Sequence, residues 1–450
     1  MRAQLQQIRR PITAARRSAY LNAASIHPIL KLVAFLIFLP AELSFYLFDF
    51  RLTLIRFVLF VLTPVLFARF IQLLISGKTR LLLPDLFVTL TGVWMIVAPA
   101  IVFDFSYSLH HSAPFVGEIC GSYLATRVLL SRHGQALSFI TLLCYIIAIV
   151  ALSGVPDAVA GRPVIHDFAH ALTGYSVEFA AEFRLGIYRA MGPIDHPILF
   201  GIVCGVGLLL AITLQIRAKA LTIAACGLGV FLSLSSAPIA GAMLGLGLLT
   251  YDRIMARFQQ RWLLLIAAVG CVIGASYASN VSPLNAFSRM MLDPQTYWVR
   301  LLEWQFAGGT VLNSPWVGIG FEWGETAKKI GFMFWSIDSL WLYLATTYGI
   351  PGAVLVALSI ISAMLYPSSG RAVNLTAEES KLATGLNVSL AVVVLLGFTV
   401  HFWAAAWMLV GLLVGVRAHL ADLGSRRPAK IKNTNLGSTG LPLRFSLMRS

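Results

Sequence analysis

The chain has 450 residues, of which 58% are hydrophobic and only 12% charged, and its mean hydropathy is +0.81. Soluble domains carry about 25% charged residues, which excludes a soluble multidomain enzyme, a disordered chain and a secreted disulfide scaffold. The net charge of +15 follows the connections between apolar runs, so it reads as a topology signal with membrane lipid as the partner and no nucleic acid.

Residues 1–28 form a basic N-terminal segment carrying Arg2, Arg9, Arg10, Arg16 and Arg17. After it come apolar runs long enough, at about 20 residues, to cross a hydrocarbon core of about 30 Å: 29–48, 52–76, 81–103, 114–131, 136–155, 197–216, 262–278, 382–400 and 402–418. The stretch 220–251 is too long for one crossing and breaks at Ser235-Ser236-Ala237-Pro238, which predicts two short helices. The stretch 339–366 either crosses once or folds back at Gly349-Ile350-Pro351-Gly352. A single crossing keeps Arg371, Lys381 and the basic tail on the same side as Lys78, Arg80, Arg132, Arg217, Lys219, Arg253, Arg257 and Arg261, as the excess of cations in cytoplasmic loops requires. The expectation is an all-α, polytopic membrane helical bundle of about 12 transmembrane helices over 29–418, with both termini cytoplasmic. Residues 419–450 form a basic tail whose composition, from Arg426 onward, is that of a disordered segment. Cys120, Cys144, Cys204, Cys226 and Cys271 lie in or beside apolar runs without a CxxC pair, and read as packing residues.

Two segments on the outer side, 156–196 and 279–338, are too long for turns and rich in Trp, Phe, Tyr and Leu. They are expected to be structured periplasmic loops. In the first, Phe179, Phe183 and Ile187 fall at i, i+4 and i+8, which predicts an amphipathic helix along the membrane surface. In the second, Tyr297–Trp304 predicts a similar aromatic helix bearing Arg300, followed by Gly318-Ile-Gly-Phe-Glu-Trp-Gly324.

The polar residues here are few enough to weigh singly. Arg189 opens Arg189-Ala-Met-Gly192-Pro-Ile-Asp195-His196-Pro197; it is either an interfacial cation paired with Asp195 or a phosphate ligand, because guanidinium presents a planar fork of donors. Arg300 either makes a weak pair with Glu303 at i+3 or meets an anionic headgroup. Asp338 is a helix N-cap, a functional carboxylate at the membrane edge, or both. Glu42, Asp85 and Glu118 read as interhelical polar contacts. His166 and His170 have the i, i+4 spacing of a zinc motif, but Asp stands where the motif has Glu, the segment reads as a loop and no third ligand is evident, so no metal is expected. His110-His111 reads as a solvated turn, and Gly201-xxx-Gly205 and Gly241-xxx-Gly245 as close helix packing. No nucleotide-binding fingerprint is present.

Taken in order, these features resemble the bacterial O-antigen ligase and polysaccharide polymerase superfamily. The resemblance rests on Arg189-x-x-Gly192-x-x-x-x-Pro197 before a span, an aromatic helix bearing Arg300, Gly318-x-Gly320-Phe321, and Asp338-Ser339 followed by nine residues and Gly349-Ile-Pro-Gly352. The family signature has His where this chain has Asp338. The resemblance implies a metal-independent, cofactor-free glycosyltransferase at the outer face of the bacterial inner membrane. Such an enzyme moves a glycan from an undecaprenyl-pyrophosphate carrier to an acceptor glycan, and a chain-length regulator is an implied partner. It implies Arg189 and Arg300 as pyrophosphate ligands; Asp338, at the position of the base, either takes the proton or only orients an acceptor, with Asp195, His196 and Glu322 as back-ups and, together with Ser339, as substrate-binding candidates. The His-to-Asp departure favours a polymerase of lipid-linked repeat units over a ligase to lipid A-core. A flippase of lipid-linked sugars and an intramembrane metalloprotease using His166 and His170 are the readings from other classes.

Overall fold

The computed structural model describes residues 25–47, 50–175, 182–258, 260–279, 294–331, 336–368 and 373–426. The chain is helical, because apolar runs of this length can satisfy their backbone polar groups only internally. In chain order the helices are α1 (Pro28–Leu36), α2 (Leu54–Ile75), α3 (Leu83–Val102), α4 (Phe105–Val116), α5 (Ser122–Leu129), α6 (Gln135–Ala160), α7 (Val164–Thr173), α8 (Pro197–Thr213), α9 (Lys219–Leu232), α10 (Ser236–Ile254), α11 (Arg261–Ala278), α12 (Pro294–Asn313), α13 (Trp323–Lys329), α14 (Leu340–Met364), α15 (Ala377–Leu396) and α16 (Ala404–Ser425). A π-helical turn, Gly117–Gly121, joins α4 to α5. Short antiparallel hairpins are formed by β1 (Ser44–Leu47) with β2 (Phe50–Thr53), and by β3 (Phe183–Arg184) with β4 (Ile187–Tyr188).

Among the described residues, seven helices are long and apolar enough to cross a membrane, and three shorter apolar helices accompany them. The seven are α2, α3, α6, α10, α14, α15 and α16; the shorter ones are α8, α9 and α11. The chain is therefore embedded in a membrane. The central element is α16: nearly every residue from Ala405 to Gly424 is buried. Its glycines allow that closeness, since a Cβ on Gly411 would lie 2.6 Å from the Ile119 carbonyl oxygen. Gly201 of the first small-residue pair likewise meets Pro238 of α10. The five cysteines form no disulfide.

Several expected boundaries move. The run 29–48 is not one long helix: α1 ends at Leu36 and the chain enters the β1–β2 hairpin. The run 114–131 begins earlier, because the Asp104 side chain accepts from the Tyr107 N–H at 2.8 Å and starts a helix at Phe105. His110 and His111 therefore lie on α4, not in a turn. His166 and His170 lie on α7, not in a loop. The helix expected across Phe183 and Ile187 is a β-hairpin, since Leu185 and Gly186 both adopt positive φ, 53° and 75°, the geometry of a tight two-residue hairpin turn; Phe179 lies outside the described residues. The last helix runs to Ser425, beyond the expected end at 418. The break predicted in 220–251 falls between α9 and α10, and 294–313 forms the expected helix bearing Arg300.

Helix α14 decides how the site end is built. It is one 25-residue element with a non-helical residue inside it, Gly349, at φ 74° and ψ 171°. The kink frees backbone groups, and the segment before α13 takes them up. The N–H groups of Ile319 and Gly320 donate to the carbonyls of Thr346 and Thr347 at 2.8 and 3.1 Å, and the Ile350 N–H donates to the Pro315 carbonyl at 2.7 Å. Trp94 Nε1–H adds a bond to the Tyr348 carbonyl at 2.8 Å. A Cβ on Gly318 would stand 2.5 Å from the Thr346 carbonyl oxygen, and one on Gly349 would collide with the Trp316 carbonyl. The two glycine motifs are thus the two halves of one backbone joint.

Candidate active site

Asp157, at the end of α6, organises the segment from Arg189 to Pro197. Its Oδ2 accepts the N–H groups of Met191 and Gly192 at 3.1 and 2.7 Å, and its Oδ1 accepts that of Val164 at 3.0 Å. Gly192 takes φ 56° to complete the turn, and His196 Nδ1 accepts from the Ile198 N–H at 3.1 Å to cap α8. The β3–β4 hairpin then places Arg184 and Arg189 against the α9–α10 junction. Arg184 Nη1 donates to the Leu234 carbonyl at 3.1 Å, Arg189 Nε to the Ser233 carbonyl at 3.2 Å, and Arg189 Nη2 to Ser235 Oγ at 2.5 Å.

Arg189 is only 2% exposed, and its Nη1 pairs with Glu182, not with Asp195. Burial lowers the Arg189 pKa to about 10. Asp195 turns toward a different set of groups, which includes Glu42, His166, Arg56 and Glu118; burial raises its pKa to about 6. Within that set His166 Nδ1 lies 2.9 Å from a Glu42 oxygen and Arg56 Nε 2.8 Å from Glu118; Glu118 makes the contact between helical segments expected of it, whereas Glu42 stands in the turn between α1 and β1, not within a span.

Arg300, on α12, is 8% exposed. Its Nε has no hydrogen-bond partner among the described residues. Its guanidinium senses the carboxylates of Asp338 and Glu303 and the charge of Arg184, while burial lowers its pKa. The Asp338 backbone N–H donates to Glu303 Oε2 at 3.2 Å. Asp338 does not cap α14. Ser339 does, its Oγ accepting from the Leu342 N–H at 3.4 Å and donating to the Gly397 carbonyl at 3.2 Å; Ser339 is thereby a structural residue at the helix start. The Asp338 carboxyl stands half-buried beside Arg300. Burial raises its pKa and Arg300 opposes the rise. Burial, reinforced by Asp338, pushes the Glu303 pKa up to about 8.

The arginine groups lie at one end of the bundle. Arg184 links them: its charge acts on Arg300 and on His196, and the latter also senses Arg189. Burial first, then Arg189 and Arg184, lowers the His196 pKa to about 4, so this imidazole is neutral at physiological pH. Sequence reasoning overlooked Arg184 as a member of the cluster and named Glu303 only as a weak pair for Arg300. Glu303 carried a signal in its i+3 spacing from Arg300; Arg184 carried none, because its position depends on the hairpin.

A row of rings leads away from the cluster. His196 contacts Trp403 at 5.7 Å between centroids, Trp403 contacts His401 at 5.6 Å, and His401 stacks on Tyr343 at 4.0 Å. Tyr343 continues to Phe115 at 6.3 Å and Phe115 to Phe321 at 6.0 Å. Glu322, the remaining expected site residue, lies beyond this row and accepts from the Tyr107 hydroxyl at 3.2 Å. No family model matches the chain, and no curated protein matches it.

Proposed function

We propose that the chain is a metal-independent glycosyltransferase that joins undecaprenyl-pyrophosphate-linked oligosaccharide repeat units into exopolysaccharide or O-antigen. The observation that carries this reading is a buried guanidinium with a free donor, Arg300, beside a half-buried carboxyl, Asp338, and within charge range of a second arginine, Arg184. A buried unpaired donor is costly, and a pyrophosphate oxygen is the kind of acceptor that removes the cost.

In this reading an acceptor sugar hydroxyl gives its proton to the Asp338 carboxylate and its oxygen attacks the anomeric carbon of the carrier-linked glycan. The bond from that carbon to the pyrophosphate oxygen breaks, and the electron pair leaves with the lipid pyrophosphate. Arg300 and Arg184 face the developing anion, with Arg189 fixing the hairpin behind them. Such preorganised charge is worth most where water is excluded. Glu303, with its pKa near 8, stays protonated at neutral pH and leaves the neighbouring Asp338 as the basic member of the pair.

The proposed setting is a bundle of 12 spans in the bacterial inner membrane, with the arginine cluster periplasmic and both termini cytoplasmic. This is supported by the two ends of the described chain, which lie together at the opposite end of the bundle: Ser25 accepts from Gln135 Nε2 at 3.0 Å, and Arg426 Nη2 donates to the Lys78 carbonyl at 2.7 Å.

The test is the glycan profile of a deletion strain complemented with Arg300→Ala or Arg184→Ala. Loss of polymer, with surface caps of a single repeat unit and normal amounts of inserted protein, supports the polymerase. Long chains stranded on the carrier would reassign the protein as a ligase, and full-length polysaccharide in both variants would refute the arginine assignment.

A further inference from the structure

The six rings from His196 to Phe321 come from separate parts of the fold: the start of α8, the α15–α16 connection, α14, α4 and the segment before α13. Each is half-buried, so each keeps part of its surface open while touching the next ring. Residues of an aromatic belt stand side by side toward lipid. These rings instead contact one another across elements, in steps of 4.0 to 6.3 Å. The row starts where Arg189 and Arg184 act on His196 and continues toward Glu322.

Its chemistry is mixed in a particular way. Phe115, Phe321, Tyr343 and Trp403 offer flat apolar faces, whereas His196 and His401 interrupt them with ring nitrogens. His196 Nδ1 is taken by the Ile198 N–H, but an acyl chain would give no partner to His196 Nε2 or to the His401 nitrogens, at a desolvation cost. A saccharide satisfies both kinds of surface: its rings present C–H faces to aromatic planes and hydroxyls to nitrogen atoms. Burial lowers the His401 pKa to about 4, so its imidazole is neutral and presents one donor and one acceptor, the complement of a neutral hydroxyl.

We propose that this row is a saccharide-binding shelf, on which sugar rings of the glycan stack while the pyrophosphate end is held at the arginine cluster. The inference rests on the lipid-linked glycan reading above and adds where the sugar lies.

The probe is the repeat-unit oligosaccharide released by mild acid from the producing strain's own polysaccharide, free of carrier and pyrophosphate. It is titrated calorimetrically into the full-length protein in detergent. The expected result is saturable binding by the wild type, at least tenfold weaker in Phe321→Leu and Trp403→Leu, which keep apolar bulk but lose the flat face, and within threefold of wild type in Phe321→Tyr. Leucine variants that bind as the wild type does, or a wild type that binds nothing at millimolar oligosaccharide, overturn the shelf. A second readout needs no variant: bound oligosaccharide protects His401 of the wild type from diethyl pyrocarbonate, measured by mass spectrometry, and unchanged labelling overturns the proposal. If Arg300→Ala leaves cellular polymer intact, the transferase reading fails instead, a result that calorimetry and labelling do not share.

Discussion

Arg127 and Arg300 are both buried arginines at opposite ends of this bundle, and their surroundings differ in kind. Arg127 is 2% exposed and each of its nitrogens has a partner. Nε donates to Asp85 Oδ1 at 2.8 Å, Nη2 to the Arg80 carbonyl at 2.8 Å and to Asp85 Oδ2 at 3.1 Å, and Nη1 to Asp422 Oδ2 at 3.4 Å. Tyr123 closes the set with a 2.5 Å bond to Asp85. This cluster ties α3, α5 and α16 together. Arg300 has carboxylates nearby but an Nε without a partner among the described residues, and a second cation close by. Arg127, with every donor used, is a bolt; Arg300, with a donor left over and a second cation within charge range, is a place for an anion. The difference lies in the donors left over, because both residues are buried.

That contrast can be broken by experiment. Asp338→Asn is expected to lower polymer formation by about 10²–10⁴-fold, the usual worth of a positioned general base, with protein abundance unchanged; wild-type polysaccharide in this variant would reduce Asp338 to a structural position. Arg300→Ala is expected to cost about 10²–10³-fold, and Arg300→Lys to restore little of it, since an ammonium lacks the planar fork. The mirror experiment is Arg127→Ala. Leaving Asp85 buried without its cation, while Asp422 keeps Arg426 at 2.7 Å, should cost about 3–5 kcal/mol of stability, read as lost folded protein in membranes and a lowered Tm in detergent. If Arg127→Ala kept its stability, or Arg300→Ala lost it, the division between the two ends would fail.

Smaller effects sharpen the same division. Gly349→Ala is expected to destabilise the joint between α14 and the segment before α13 by at least about 1–3 kcal/mol, through a φ of 74° and the collision with the Trp316 carbonyl; limited proteolysis near Trp316 would report it. The smallest expected effect is a pH slope. Glu303 has its pKa raised from 4.5 to about 8, so the folded state binds a proton that the unfolded chain releases above pH 4.5. Its contribution is full below that value and is lost as pH rises through about 8. The Tm of the wild type should therefore fall between pH 6 and pH 9, roughly across the upper part of that window, and the fall should be shallower in Glu303→Gln. An equal slope in the two would place Glu303 outside the coupled pair.

Hydrophobic run length and the placement of Gly, Pro and Ser, read along the chain, were enough for the helical membrane architecture, the break between α9 and α10, the helix bearing Arg300 and a distortion at Gly349. These properties are local: about 20 apolar residues decide a crossing by themselves, and a Gly-Ile-Pro-Gly cluster marks a distortion wherever it sits. The i, i+4 spacing at 183–188 predicts a helix but suits both periods over so short a stretch, and the positive φ of Leu185 makes it a hairpin turn. Asp338 could not be told from an N-cap until Ser339 was seen to take that role. Arg184 and the ring row were out of reach, because their partners come from distant parts of the chain, as Tyr343 and His401 do. Sequence by itself determined what each segment can bury. Which charges remain unsatisfied after burial is a property of packing: the fold brings partners to every nitrogen of Arg127 and leaves Arg300 Nε without one among the described residues.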